Sequence, residues 1–258
     1  MILEYKESQI FYTVEGQGDS IVLLHGFLEN SSMWTNIKPK LLKNHSVVCI
    51  DLLGHGQTGC IGYIHTMEAM SEAVKTIIEK LKIESFTVIG HSMGGYVALA
   101  LAEKFPTLIN GLCLMNSTGL ADNGQRKINR DRAIEAVKKN HKTFVGMSIA
   151  NLFAPDNREQ FAIEIEMTKQ EALKTSLQGI IAALEGMKIR PNREFILQNT
   201  IFKKMMIIGR KDPVIEYNTL MNHAQNTNAE IVEFPDGHMS HIENMNELTY
   251  KIIRFIEK

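Results

Sequence analysis

The fold is indicated most clearly by one segment, Phe86-Thr-Val-Ile-Gly-His-Ser-Met-Gly-Gly-Tyr-Val-Ala-Leu-Ala-Leu-Ala102. Its apolar, β-branched start predicts a buried strand, and its alanine-rich end predicts a helix. The segment between them, Gly90 to Gly94, fits the pattern Gly-x-Ser-x-Gly, in which a sharp turn lifts a serine hydroxyl above the end of a sheet. Glycines lack the Cβ atoms that would clash in such a bend. Ser92 is therefore the candidate nucleophile, and this placement favours that role over a serine that merely sits in a glycine-rich turn.

Similar apolar runs recur along the whole chain and predict further strands. They lie at residues 10–14, 21–25, 47–51, 86–90, 111–116, 204–209 and 230–234. Several are apolar throughout, which is typical of parallel strands buried on both faces, and helical patterns lie between them. This alternation predicts an α/β fold with right-handed crossovers. The first two runs, with a short link at residues 7–8, predict a hairpin, so the sheet is expected to begin antiparallel.

The alternation stops near Ser117 and resumes near Phe202, and the stretch between them is helical in pattern. We therefore predict one core made of residues 1–117 and 197–258, with a helical cap inserted at 118–196. The apolar residues of the cap either line a pocket or form the packing of the cap itself, and packing is favoured for most of them. The basic stretch from Arg126 to Lys142 is interpreted as a solvated helix face rather than as a patch for an acidic substrate.

A serine nucleophile needs a base, and the base needs a carboxylate to orient it. Asp212 follows the predicted strand at 204–209 and is expected at the same sheet edge as Ser92. Because Pro213 comes next, Asp212 is also typical of a helix N-cap and could serve partly in that way. Asp122 is the nearest competitor for the acid, but we expect it to lie within the cap.

The base is predicted to be a histidine in the loop after the last strand. His238 follows the run at 230–234, and His241, three residues later, is the alternative that more naturally begins the terminal helix. Six other histidines are interpreted as structural or exposed and not as the base: His45, His55, His65, His91, His141 and His223.

Acyl transfer also needs two N–H donors where the carbonyl oxygen gains charge. The Met93 N–H can supply one at the start of the helix after Ser92, and the Phe27 N–H, after the strand at 21–25, is the natural second. Gly26 would allow the backbone to approach a substrate closely. The His25 side chain itself is expected to be structural.

Composition excludes several other classes of protein. A net charge of −1 and 22% charged residues give no field that would recruit nucleic acid or an anionic membrane. The three cysteines, Cys49, Cys60 and Cys113, form neither a disulfide framework nor a zinc pattern. Neither a secretory signal nor a transmembrane run is seen, so a cytoplasmic protein is expected.

Together these segments resemble the α/β-hydrolase family. The resemblance rests on five motifs: His25-Gly26-Phe27, Asp51-Leu-Leu-Gly-His-Gly-Gln-Thr58, Gly90-His-Ser-Met-Gly-Gly95, Gly209-Arg-Lys-Asp212 and Gly237-His238. It implies a mostly parallel sheet of about eight strands flanked by helices, a helical lid, and no metal or organic cofactor. Relatives that dehalogenate alkanes or open epoxides carry Asp as nucleophile where this chain has Ser92. Relatives in menaquinone biosynthesis typically carry Arg where Tyr96 stands here.

The resemblance and the motifs predict a serine hydrolase acting on a small-molecule substrate, a small to medium carboxylic ester, through Ser92, His238 and Asp212. The same residues could instead cleave a C–C bond or a lactone, or act in perhydrolysis. A hydrolase-like receptor that binds a ligand without turnover is the third hypothesis, against which the complete set of three residues argues.

Overall fold

The computed structural model describes all residues from Met1 to Lys258 and contains one eight-stranded sheet. The spatial order of the strands is β1-β2-β4-β3-β5-β6-β7-β8. All pairs are parallel except β1 with β2 and β2 with β4. The predicted α/β fold with a mostly parallel sheet is confirmed. The strands are β1 (Ile2–Tyr5), β2 (Ser8–Glu15), β3 (Asp19–Leu24), β4 (His45–Ile50), β5 (Phe86–His91), β6 (Ile109–Met115), β7 (Lys203–Gly209) and β8 (Glu230–Phe234).

Eleven α-helices accompany the sheet. Six of them connect or follow the strands: α1 (Lys38–Leu41), α2 (Met67–Lys80), α3 (Met93–Lys104), α9 (Tyr217–Ala224), α10 (Ser240–Glu243) and α11 (Met245–Glu257). The other five lie between β6 and β7: α4 (Gly124–Lys139), α5 (His141–Ala150), α6 (Ala162–Ala172), α7 (Leu177–Ile189) and α8 (Glu194–Asn199). No helix combines the length and the apolar character that crossing a lipid bilayer requires.

The central strands, β3 to β7, are largely apolar because both faces of the sheet are covered there. In β3, Val22 and Leu24 join the larger core, which contains the buried faces of α2 and α3. The alternate residues, Ile21 and Leu23, join a second core under α11 on the opposite face. All four side chains are fully buried. A period of two along a strand therefore divides one apolar run between two cores.

The start of the sheet differs in detail from the prediction. The hairpin joins β1 to β2 through Lys6 and Glu7, which both have positive φ, as a tight hairpin turn requires. The predicted runs at 10–14 and 21–25 do not pair with each other, because β4 lies between them. β1 was missed because it is a four-residue edge strand whose side chains are exposed or only half-buried.

The helical segment between β6 and β7, which was predicted as an insertion at residues 118–196, touches the rest of the chain closely along α7. The His65 N–H donates to the Ala182 carbonyl at 2.9 Å. A Cβ atom at Gly179 would lie 2.1 Å from the Gly54 carbonyl oxygen, so only glycine permits this approach. The predicted boundary after residue 196 falls inside α8, a helix that packs against α3.

Candidate active site

Ser92 lies on a strained turn between β5 and α3. Its backbone has φ of 49° and ψ of −113°, a conformation that costs a non-glycine residue free energy and persists only where its surroundings enforce it. The Ser92 N–H donates to the Met115 carbonyl at 2.9 Å, and the Ser117 hydroxyl donates to the Ser92 carbonyl at 2.7 Å. A Cβ at Gly90 would meet the Gly94 carbonyl oxygen at 2.4 Å. The neighbouring strand β6 and the glycines therefore hold the serine in this bend.

His238 stands beside this serine. Its Nε2 lies 2.9 Å from Ser92 Oγ, and its Nδ1 lies 2.7 Å from Asp212 Oδ2. The His238 backbone N–H donates to the Leu152 carbonyl of the insertion at 2.9 Å, which fixes the loop after β8. Parallel strands place their carboxyl ends at one edge, so β5, β7 and β8 bring the three predicted residues together.

Asp212 uses its two oxygens for different partners. Oδ2 faces His238, while Oδ1 accepts from the backbone N–H groups of Val214 at 2.8 Å and Ile215 at 3.0 Å. Burial would raise the pKa of Asp212, but His238 and these backbone amides hold it below its ordinary value. No helix begins at Asp212, since α9 starts at Tyr217, so Asp212 is not a helix N-cap. Its Oδ1 instead stabilises the turn at Val214 and Ile215.

The two competing candidates lie elsewhere. His241 lies in α10, and its Nε2 is 3.6 Å from Glu29 Oε1, away from Ser92 Oγ. The side chain of Asp122 is fully buried and contacts three guanidinium groups, those of Arg126, Arg130 and Arg190. Burial would raise the pKa of Asp122, and the three arginines lower it. Neither residue reaches the hydroxyl of the serine.

Of the two residues predicted to supply amide donors, Met93 follows Ser92 directly and Phe27 lines the same cavity as Ser92. Met93 is the first residue of α3, and the first N–H groups of a helix have no partner within it. Phe27 follows β3, and the next residue, Leu28, has φ of +63°, which turns the chain sharply. His25 is fully buried and accepts from the Leu52 N–H at 2.8 Å, while its Nδ1 contacts the Gly26 carbonyl, in agreement with a structural role.

Glu29 and His91, the residue before Ser92, form a buried ion pair that the sequence did not predict. Glu29 Oε2 lies 2.6 Å from His91 Nδ1 and accepts from the Gly26 N–H at 2.7 Å. His91 Nε2 lies 3.0 Å from the His238 carbonyl oxygen. Both neighbours of the His91 ring are acceptors, so only the doubly protonated imidazolium satisfies both. Burial would lower the pKa of His91, but Glu29 raises it above its ordinary value.

Glu29 and His91, together with His241, also present ligand atoms within 4.8 Å of one another. A metal ion bound at the usual 2.0–2.2 Å from a carboxylate oxygen and an imidazole nitrogen keeps those atoms about 3 Å or more apart. The 2.6 Å contact between Glu29 and His91 is shorter, so this group is organised as a hydrogen-bonded ion pair and not as a metal site.

A cavity of about 70 Å³ adjoins Ser92 and His238. Its wall is part apolar and part cationic: Phe27, Leu28, His91, Tyr96, Arg126, Arg130, Ser148, Leu152, Met187 and Val214. Arg126 and Arg130 thus face the site, which differs from the solvated face predicted for the basic stretch. A larger cavity of about 370 Å³, lined by Glu29, Met167 and His241 among others, shares only Leu28 with the smaller one. Ser92 lines the smaller cavity and not the larger one, so the smaller cavity is the candidate substrate site.

The sequence profile of the alpha/beta hydrolase fold matches residues 19–245. The chain belongs to the α/β-hydrolase family of enzymes. Among its curated relatives, an uncharacterized protein of Mycobacterium tuberculosis is 35% identical over 109 residues, which are 42% of this chain and 32% of that protein. The chain therefore spans about a third of the length of this relative.

Solved structures of this family match almost the whole chain. An esterase from Thermogutta terrifontis has a TM-score of 0.91 at 26% identity, over 97% of this chain and 93% of the esterase. An enol-lactonase from Burkholderia xenovorans has a TM-score of 0.92 at 21% identity, and the match covers 100% of both chains. A 2-hydroxy-6-oxo-6-(2'-aminophenyl)hexa-2,4-dienoic acid hydrolase of Metapseudomonas resinovorans is 29% identical over 113 residues, which are 42% of this chain and 39% of that protein.

Proposed function

We propose that this α/β hydrolase is a serine esterase that cleaves small to medium carboxylic esters through an acyl-enzyme on Ser92. The observation that carries the proposal is the continuous hydrogen-bonded series from Ser92 Oγ to His238 Nε2, at 2.9 Å, and from His238 Nδ1 to Asp212 Oδ2, at 2.7 Å. A nucleophile, a base and an orienting carboxylate in this arrangement are the requirements of acyl transfer.

In the proposed reaction, neutral His238 accepts the Ser92 proton at Nε2 while Oγ attacks the ester carbonyl carbon. Asp212 holds the Nδ1–H and stabilises the imidazolium that forms. The Phe27 and Met93 N–H groups donate to the oxyanion, and the N-terminal end of α3 adds its positive dipole. His238 then protonates the departing alcohol, and a water molecule activated by the same imidazole releases the acid.

We further propose that the helical insertion, residues 118–196, acts as a lid that shapes the acyl pocket. Ser148, Leu152 and Met187 of the insertion line the cavity beside Ser92, and Leu152 accepts from the backbone of His238. A cavity of about 70 Å³ favours short acyl groups over long ones.

The test combines active-site labelling with an ester panel. The wild type is expected to react with a fluorophosphonate probe and to hydrolyse p-nitrophenyl esters of short acids. Ser92→Ala is expected to abolish labelling, and Ser92→Ala and His238→Ala each to lower kcat by roughly 10⁴-fold or more. His241→Ala, which removes the competing imidazole, should retain labelling. An unlabelled wild type without activity on any ester would overturn the proposal.

C–C bond hydrolysis is the second candidate, because C–C hydrolases occur among the homologues of this chain. The same panel separates it from esterase activity when vinylogous diketones and lactones are added. A diketone preferred to every ester by about tenfold in kcat/KM would favour this second function.

A further inference from the structure

The cavity beside Ser92 has a cationic wall whose charge no nearby protein group balances fully. Arg126 and Arg130 are four residues apart on α4, so their side chains lie on the same face, one turn apart. Both line the cavity together with Ser92 and His238. Arginine is the side chain best suited to planar, bidentate recognition of a carboxylate.

Asp122 binds both of these arginines through their Nε atoms. Its Oδ1 accepts from Arg126 Nε and its Oδ2 from Arg130 Nε, each at 3.0 Å. Arg126 Nη1 donates to the Val214 carbonyl at 2.9 Å. Arg126 Nη2 and both Nη atoms of Arg130 donate to no protein group, so they remain free for a ligand. The fixed Nε contacts orient the guanidinium planes before a ligand arrives, which lowers the entropic cost of binding.

The charge balance points in the same direction. Arg190 also contacts Asp122, at 2.8 Å, and its guanidinium stacks on the Tyr96 ring 3.9 Å from the ring centroid. Three guanidinium groups therefore share the single carboxylate of Asp122. With Asp212 counted as well, one positive charge remains in excess around the cavity. A partly buried uncompensated cation is costly, and a bound anion would compensate it.

We propose that Arg126 and Arg130 bind a carboxylate carried by the substrate, so that the preferred ester is an anionic one such as a monoester of a dicarboxylic acid. This inference rests on the proposed esterase function and specifies its substrate class. Tyr96 lines the same cavity, and a tyrosine hydroxyl can donate a hydrogen bond to a carboxylate. If the arginines only joined the insertion to the core, a neutral ester would be used equally well.

The experiment compares each charged ester with a neutral ester of the same shape. Monomethyl esters of malonate, succinate, glutarate and adipate are assayed by methanol release against the corresponding methyl ester carboxamides. The wild type is expected to prefer the anionic member by about tenfold or more in kcat/KM for at least one chain length. Arg130→Gln should reduce that ratio to near one. Arg132→Gln, the same change at an exposed residue of α4, should leave the ratio unaltered.

Two further measurements separate the possible failures. If Arg130→Gln does not fold, competitive inhibition of the wild type still decides: dicarboxylates should inhibit at least about tenfold better than the corresponding diamides. Neutral esters used as well as anionic ones, with equal inhibition by the diamides, would overturn the carboxylate subsite and leave the esterase proposal intact. An enzyme without labelling or ester hydrolysis would overturn the esterase proposal instead.

Discussion

Glu29→Gln is the substitution that most directly tests the ion pair under the nucleophile. In the structure, Glu29 Oε2 accepts both from the Gly26 N–H and from His91 Nδ1. The amide oxygen of glutamine can accept the same two hydrogen bonds, so the change removes the negative charge and little else. Because His91 then lacks its counterion, the buried imidazolium is no longer compensated.

The expected loss of stability follows from the pKa of Glu29. Burial would raise this pKa, but His91, with smaller contributions from His241 and His25, lowers it from 4.5 to about 2. That difference corresponds to roughly 3 kcal/mol of unfolding free energy at neutral pH. Loss of one partner from a buried pair typically costs about 3–5 kcal/mol, which agrees with this value. We therefore expect Glu29→Gln to lower the free energy of unfolding by about 3 kcal/mol.

The dependence on pH has a definite sign. Glu29 has a lowered folded pKa, so its contribution is complete above pH 4.5 and is lost as the pH falls towards about 2. His91 has a raised folded pKa, so its contribution is complete below pH 6.5 and is lost as the pH rises through the folded value. The difference between wild type and Glu29→Gln should thus be largest between pH 4.5 and 6.5.

Urea unfolding provides the assay, since the one tryptophan, Trp34, is fully buried near this loop and its fluorescence reports unfolding. Glu159→Gln, the same change at an exposed site, is the control and should alter stability by less than about 0.5 kcal/mol. A difference between wild type and Glu29→Gln that grows steadily from pH 5 to pH 9 would refute this account of the pair.

Three other substitutions probe the cavity wall, a buried histidine and the contact of the insertion with the core. Leu28 lines both the cavity of about 70 Å³ and the one of about 370 Å³, and we expect Leu28→Ala to join them, so the ratio of kcat/KM for octanoate to acetate esters should rise about fivefold or more. Burial lowers the pKa of His55 to about 3, so unfolded His55 binds a proton between pH 6.5 and 3 that the folded residue does not. Over this pH range, the free energy of unfolding should therefore fall by about 1.4 kcal/mol less per pH unit in His55→Asn than in the wild type. Gly186→Ala would place a Cβ 1.8 Å from the His65 carbonyl oxygen and should cost about 1–3 kcal/mol or more, seen as a lower Tm.

Each of these three substitutions has a control and an outcome that contradicts it. Leu28→Met preserves the wall, and an unaltered chain-length profile in Leu28→Ala would contradict the role of the leucine. His45→Asn changes a less buried histidine, and equal slopes for the wild type and His55→Asn would show that His55 is not buried as a neutral group. Gly146→Ala adds a methyl group with nothing within 4 Å, so a Tm as high for Gly186→Ala as for Gly146→Ala would remove the steric argument.

The fold could be predicted because its signals are local. The strand, turn and helix around Ser92 are adjacent in sequence, and the apolar runs of a parallel sheet need no knowledge of their partners. β1 was not predicted because four residues at an exposed edge are too few to show a clear alternation. The roles of Ser92, Asp212 and His238 in catalysis stay predictions, although chain order was sufficient to select the three side chains that the fold brings within hydrogen-bond distance.

The contacts that the sequence did not reveal join distant residues. Glu29 and His91 are 62 positions apart, and His91 occupies a position of the serine motif that tolerates any residue. The spacing of Asp122, Arg126 and Arg130 was a visible signal, but α4 buries only Ile134 and Val137 and lacks an apolar stripe. Nothing local therefore determines which face of α4 turns towards the cavity. The packing of α4 against α7 determines it, and that packing is a tertiary contact.

Asp122 and Asp212 show why position after a strand is not enough to identify a catalytic acid. Asp122 and Asp212 are both buried, and both have a lowered pKa. The partners of Asp122 are arginines, which carry a permanent charge and exchange no proton near neutral pH, so this carboxylate can only orient cations. The partner of Asp212 is His238, whose Nε2 lies 2.9 Å from Ser92 Oγ and which we propose as the base. The partner of each carboxylate therefore separates the two roles that we propose: Asp212 orients the base for the bond-breaking step, and Asp122 orients the arginines that bind a charged substrate.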